Sequence, residues 1–307
     1  MFTIHTIPPD AAEFSEQMGT KYKFWFKIAD THHLFKEGRP NTGENWAEKL
    51  ACEFAEMLGI PHASYELAQY EKKFGVLSPS FVPPLAQLFH GNELVLGRIT
   101  GTDGNDKRKY YTERSHTASR VFEYFKQNID TISPPIGFKA FDGVTSALDI
   151  FVGYILFDAW IANQDRHSEN WGVIKTTNGL FLAPSYDHGS SMGRNETDQK
   201  RLERLTTKDQ GQSLNAYILR ARSSLFPNAS SDKRIKPYST YELFEFFSKG
   251  QPVAANAWLR RLSEISMEKI NTTINMVPEE HMSLVAKKFT AQLLELNINR
   301  LLALKTS

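Results

Sequence analysis

Asn163-Gln164-Asp165-Arg166-His167-Ser168-Glu169-Asn170-Trp171-Gly172 is the stretch whose reading decides the fold. An apolar run over 148–161 leads into it and Val173-Ile174 follows, so it reads as a polar loop between a helix and a strand. Asn170 stands five residues after Asp165, and Asp187 follows seventeen residues later in Ala183-Pro184-Ser185-Tyr186-Asp187-His188-Gly189. Strands over 171–175 and 180–183, joined at Thr177-Asn178-Gly179, fill the gap, since Asn-Gly is a strong hairpin-turn signal. An acid, an amide and a second acid beyond a hairpin are the working parts of a phosphoryl-transfer site. One carboxylate orients the attacking hydroxyl, while the amide and the other carboxylate hold Mg²⁺ against the phosphates. Each residue alone is an ordinary turn former. The joint pattern assigns Asp165 as catalytic acid-base group, with Asn170 and Asp187 as metal ligands.

The Asp-to-Asn offset equals that of the protein-kinase catalytic loop, and such a site also needs a strand lysine positioned by a helix glutamate. Leu34-Phe35-Lys36 begins or forms a strand upstream, and a helix with Thr42 or Asn41 as N-cap runs through Leu58, stopped by Gly59 and Pro61. Trp46, Leu50, Phe54 and Met57 fall on one face of that helix, and Lys49, Glu53 and Glu56 on another. The third sector holds the small residues Ala51, Cys52 and Ala55 together with Glu48. A charge on a face small enough to approach a sheet needs a partner, and Lys36 is the nearest candidate. Glu44 shares the sector but lies in the first turn, where the helix dipole alone would suit it. Ser15-Glu16-Gln17-Met18-Gly19-Thr20-Lys21 precedes the first long strand with a single glycine, and no Walker A pattern occurs.

Residues 22–28 alternate and are rich in aromatics, Asp30-Thr31-His32-His33 reads as the turn that follows, and 63–68 and 74–78 read as further strands. Ser80-Phe81-Val82-Pro83-Pro84 breaks that pattern and marks a hinge. The expectation is an α+β, two-lobed chain, with a β-rich lobe over 1–82 and a larger, mostly helical lobe over 83–307. Helices are expected near 115–128, 145–162, 198–206, 211–222, 239–249, 252–273 and 278–304, with polar loops over 101–109 and 228–236. His167 has no second His or Cys at ligand spacing and reads as a histidine bonded to backbone around the metal loop.

The 307 residues are 41% hydrophobic and 12% aromatic, enough for a large core. Thirty-six basic residues against 35 acidic ones leave a formal charge of +1, which argues against nucleic-acid binding as the main activity. One cysteine, Cys52, excludes an intrachain disulfide framework and a Cys-rich zinc site. No secretory signal or membrane-length apolar stretch is visible, so a cytoplasmic protein is expected, with export by a system that reads other signals left open.

Several blocks together resemble the HipA-like serine/threonine kinases, bacterial toxin kinases with a kinase-like bilobal fold. They are Asn163 to Gly172, the acid of Tyr186-Asp187, Leu34-Phe35-Lys36, Gly43-Glu44-Asn45-Trp46-Ala47-Glu48-Lys49-Leu50 and Leu58-Gly59-Ile60-Pro61. The Asp-Arg-His-x-x-Asn block also occurs in phosphoinositide kinases, so by itself it indicates the superfamily and not the substrate. The resemblance implies ATP and Mg²⁺ as cofactors, with Lys36, paired with Glu48, meeting the ATP phosphates. It further implies nucleotide contacts at Ser80, Phe81, Val82 and His167, Asp165 as base, and Asn170 and Asp187 on the metal. It implies a protein substrate such as a translation factor or an aminoacyl-tRNA synthetase, a possible antitoxin, and self-phosphorylation at Ser15 or Thr20 in the phosphate loop. With fewer residues before that loop than the longer family members have, the chain resembles a stand-alone kinase core. A small-molecule or lipid kinase, an AMP transferase and a nucleotide-binding pseudokinase on the same fold stay open; having Lys36, Asp165, Asn170 and Asp187 together speaks against the last.

Overall fold

The computed structural model describes residues 1–11, 14–15, 22–96 and 114–304, at 14, 15 and 96 the backbone alone. The loop expected over 101–109 and Thr20 lie outside the described residues.

The first sheet is built from Ile4–Thr6 (β1), Phe14–Ser15 (β2), Lys23–Ile28 (β3), Thr31–Glu37 (β4), Glu66–Tyr70 (β5) and Lys73–Pro79 (β6). Their order is β1-β5-β6-β4-β3-β2, antiparallel throughout except where β1 joins β5. Alternation in β3 turns Phe24 and Phe26 inward, where they meet Phe35, Tyr70 and Leu77. The Phe24 and Tyr70 rings lie edge to face with centroids 4.7 Å apart. The turn after β3 falls at Ala29-Asp30, with Ala29 at φ 52°; Asp30 belongs to it as expected, while Thr31, His32 and His33 lie within β4. Facing Phe24 to Phe35 sets the Ile28-to-Thr31 register and so closes the turn before Thr31.

Glu44–Leu58 (α1) lies between this sheet and the helical lobe. Trp46, Leu50, Phe54 and Leu58 join the large buried cluster of that lobe, while Cys52 meets Val76 and Ala63 on the sheet side. The helix ends at Gly59 with φ 78°, a left-handed cap open to a residue without Cβ. Its N-cap is Gly43, without a side-chain bond, in place of the expected Thr42 or Asn41; Thr42 Oγ1 donates to Arg39 O instead, at 2.8 Å. Lys49 does not face solvent. Glu66 of β5 and the ring of Phe2 cover it, and its Nζ lies 2.7 Å from Glu53 and 2.9 Å from Glu66.

The second lobe opens with Gln87–His90 (β7), Gly91–Leu96 (α2), Ala118–Gln127 (α3), Ile132–Ser133 (β8) and Ala147–Ile161 (α4). The hairpin Gly172–Thr176 (β9) and Gly179–Leu182 (β10) follows, and the second sheet runs β7-β9-β10-β8. Asp198–Thr206 (α5), Leu214–Leu219 (α6), Thr240–Gly250 (α7), Pro252–Ser263 (α8), Met267–Asn275 (α9) and Leu284–Leu302 (α10) complete the described chain. The single helix expected over 252–273 breaks at Glu264, and Ser266 caps its second half by accepting from the Lys269 N–H. β1, β7, β8 and α2 fall outside the expected elements; the three strands are short and take their form from pairing with β5, β9 and β10.

The lobe is organised on α4. A reciprocal Ser146/Asp149 capping box starts it, and every residue except Asp149 is buried. A helix apolar on all sides must be surrounded, and the buried side chains of α1, α3, α7, α8 and α10 share its cluster. Among the described residues no helix is long and apolar enough to cross a membrane.

Candidate active site

α4 ends at Ala162, whose φ of 52° turns the chain into the polar loop, with the Asn163 N–H donating to Asp158 O at 2.8 Å. Asp158 is 2% exposed within that apolar helix, a burial a carboxylate tolerates only with a partner. Arg166 supplies it: Nε donates to Oδ2 at 2.7 Å and Nη2 to Oδ1 at 2.8 Å, a two-pronged pair. Arg166 Nη1 also donates to Asn170 O at 2.7 Å, and Nη2 to Ser185 Oγ at 2.9 Å. Burial works against the guanidinium charge, but Asp158 outweighs it and holds Arg166 above its usual range. His188 is driven the other way, by burial and then by Arg166, to well below the usual histidine range. Its neutral Nε2 accepts from Ser185 Oγ at 2.7 Å. Arg166 is thus the bolt between the loop of Asp165 and that of Asp187.

Asn170 Nδ2 donates to Asp165 O at 2.7 Å, which sets the amide oxygen on the opposite edge of the side chain. Asp165 Oδ2 accepts from Ser190 Oγ at 3.2 Å, and Oδ1 lies 3.7 Å from His167 Nε2. His167 Nδ1 accepts from the Glu169 N–H at 3.1 Å. Asp187 sits at φ 58°, uncommon for a residue with a Cβ, and its N–H donates to the Tyr65 hydroxyl at 3.2 Å. Segment 61–65 braces that conformation: Ala63 N–H donates to Ser185 O at 2.9 Å and Ser185 N–H to Pro61 O at 2.8 Å.

Lys36, on β4, donates to Glu48 Oε1 at 2.8 Å and also contacts Asp187 Oδ1. Glu48 is 1% exposed, and its second oxygen accepts from the His188 N–H at 2.9 Å. A Cβ on Gly189 would lie 3.0 Å from Glu48 Oε1, so glycine is what lets the loop come this close. Burial favours the neutral amine, but Asp187 and then Glu48 outweigh it, and Lys36 is held well above the usual lysine range. The pair expected from the helix face therefore forms, and the second acid joins it.

At the hinge, the Ser80 N–H donates to His32 O at 2.9 Å and the Ser80 hydroxyl to Val82 O at 3.3 Å. Phe81 stacks on Tyr186, centroids 5.2 Å apart at 25°, and packs with Val76, Ile174 and Ala183 in one apolar cluster. Tyr186 in turn donates to Glu169 O at 2.8 Å, which ties the hinge aromatic to the Asp165 loop. Ser15 has a described backbone, paired with Phe24, but its side chain is not described.

Sequence reasoning missed the supports: Asp158, Ser185, His188, Tyr65, Ser190 and Arg194. A lone acid inside an apolar helix was the available signal for Asp158, since such a charge demands a partner. Glu44, expected to be satisfied by the helix dipole alone, is 3% exposed and accepts from Arg39 Nη1 at 2.9 Å and from Arg194 Nη1. Among the described residues no group of three or more His, Cys, Asp or Glu side chains could hold a metal. Mg²⁺ asks for less, one or two carboxylates with phosphate and water oxygens completing the shell. The Asp187 carboxylate, 35% exposed, and the Asn170 amide oxygen are hard donors of that kind.

Residues 16–236 match the family model described as the HipA-like C-terminal domain. Serine/threonine-protein kinase CtkA of Helicobacter pylori is 29% identical over 150 residues, 48% of this chain but only 41% of the relative's own length. The crystal structure of a Helicobacter pylori proinflammatory kinase CtkA superposes with a TM-score of 0.68 at 22% identity, covering 91% of this chain and 92% of that one. HipA from Shewanella oneidensis MR-1, solved with HipB and operator DNA, gives a TM-score of 0.50 at 12% identity over 97% of this chain and 70% of that one. The chain belongs to the HipA-like C-terminal domain family and has its two-lobed, kinase-like α+β fold.

Proposed function

We propose that the protein transfers the γ-phosphoryl group of ATP to a serine or threonine hydroxyl of a protein substrate. The observation that carries this is the convergence of Lys36, Glu48 and Asp187, bolted through Arg166 to the loop of Asp165 and Asn170. Lys36 meets the phosphates and is kept cationic by its two acids. Asp165 orients the acceptor hydroxyl and takes its proton as the new P–O bond forms and the bond to ADP breaks. Asn170 and Asp187 would hold Mg²⁺, which would supply neutralisation of the charge on the phosphate oxygens. Phe81, Tyr186, Val76, Ile174 and Ala183 offer the apolar wall a purine ring requires.

Incubation with Mg²⁺ and ATP labelled separately at the α and γ positions, with mass-spectrometric location of the product, tests the reading. Label from γ on Ser or Thr supports it, whereas α-label on protein makes the enzyme an AMP transferase. The same measurement reads self-phosphorylation at Ser15 or Thr20. A phosphoryl group there would add about −1.5 to −2 charges where nucleotide phosphates approach, which opposes ATP binding. An antitoxin partner belongs to the same proposal, supported by the HipB that accompanies HipA in the Shewanella oneidensis complex.

A further inference from the structure

We infer that Ser190, Arg194 and Glu44 form a relay that positions the Asp165 carboxylate from the first turn of α1; the inference rests on the kinase reading above. Ser190 Oγ donates to Asp165 Oδ2 at 3.2 Å and accepts from Arg194 Nη2 at 3.0 Å. Arg194, 6% exposed, sends its other terminal nitrogen to Glu44 Oε1. Arg39 secures the same carboxylate from the solvent side, Nη1 to Oε1 at 2.9 Å and its backbone N–H to Oε2 at 3.1 Å. The polar chain is therefore continuous from α1 to the base.

Its direction matters. A hydroxyl that accepts from a guanidinium has its own hydrogen free to point the other way, here at Asp165, and bonds in series polarise one another. Engaging Oδ2 fixes the rotation of the carboxylate and leaves Oδ1 on the His167 side. Backbone already tethers the Ser190–Arg194 segment to α1, through the Gly43 N–H and Arg194 O at 2.9 Å, so the side-chain bonds add orientation to an attachment that exists without them. Glu44 and Glu48 stand one turn apart on α1, the spacing that puts two side chains on one face. Glu48 holds Lys36 and the loop of Asp187, while Glu44 holds the base. One rigid helix sets both halves of the site.

Single-turnover consumption of γ-labelled Mg²⁺-ATP, with the KM for ATP measured in parallel, tests this in the full chain. Ser190→Ala should slow the chemical step about tenfold, the scale of one hydrogen bond to a charged group, with the KM for ATP unchanged. Ser190→Thr keeps a hydroxyl and should recover most of the rate. Glu44→Gln should slow the same step without moving the KM, and the Glu44→Gln/Ser190→Ala double should be no slower than the worse single, because both break one chain. Wild-type rates in Ser190→Ala, multiplying losses in the double, or a KM rise at constant rate each overturn the relay and leave the kinase reading standing. Should Ser190→Ala fail to fold, Glu44→Gln and the Thr variant carry the same readout. No ATP consumption by the wild type removes the kinase reading and the relay with it.

Discussion

α1 and α4 are both fifteen residues long and both buried, yet they are opposite kinds of helix. α4 has a capping box and an apolar surface on every side, with Asp158 as its one buried charge. α1 has no side-chain cap and buries Glu44, Glu48 and Lys49, each with a dedicated partner. Hydrophobic burial holds α4 and scales with area, so it tolerates no cavity. Charges inside α1 cost desolvation that their partners offset without large gain. Such charges are explained by what they position, not by what they stabilise. Damage to α4 and its bolt should therefore appear as lost stability, and damage around α1 as lost activity.

The largest expected effect breaks the bolt. Arg166→Leu leaves Asp158 in the core without its cation, a loss of about 3–5 kcal/mol. Chemical denaturation should show the midpoint fall by a corresponding amount; an unchanged midpoint would mean that α4 does not depend on the pair. Next comes Asp165→Asn, which should slow phosphoryl transfer by about 10²-fold or more while ATP affinity and the unfolding midpoint stay put. If nucleotide binding collapsed and single-turnover chemistry survived, Asp165 would belong with the scaffold. On α1, Glu48→Gln keeps shape but removes the charge that shares Lys36 with Asp187. A drop of about tenfold in kcat/KM for ATP, with a stability change below about 1 kcal/mol, would sharpen the contrast. A stability loss without a kinetic one would erase it. Smallest is Ser146→Ala, which deletes the capping hydroxyl of α4 and should cost about 1 kcal/mol in thermal or chemical unfolding with kinetics intact.

Much of the site could be read because its parts are local. Asp165 and Asn170 lie in one loop, and Asp187 follows a hairpin announced by Asn178-Gly179, so spacing alone brings the three near one another. Lys36 and Glu48 were readable for another reason: a charge on a small-residue face has to be answered nearby. The errors have a common origin as well. His32 and His33 look like turn residues, but inward phenylalanines set the register and carried them into β4. Lys49 lies on the polar side of its helix, yet Phe2 and Glu66 cover it from elsewhere in the chain. Glu44 looked satisfied by its own helix until Arg194, 150 residues away, arrived beside it.

The sequence by itself determined the polar loop, the hairpin, the lysine strand and the acid-bearing helix, because propensity, turn chemistry and periodicity act over a few residues. Only the tertiary structure decided how the two acid loops are joined. Arg166 reaches Asp158, Ser185 and Asn170 at once, and Ser190 links Asp165 to Arg194 and Glu44. Those partners are chosen by desolvation: once packing removes water from a charge, it must pair with whatever the fold has brought within reach, and no local pattern names that residue.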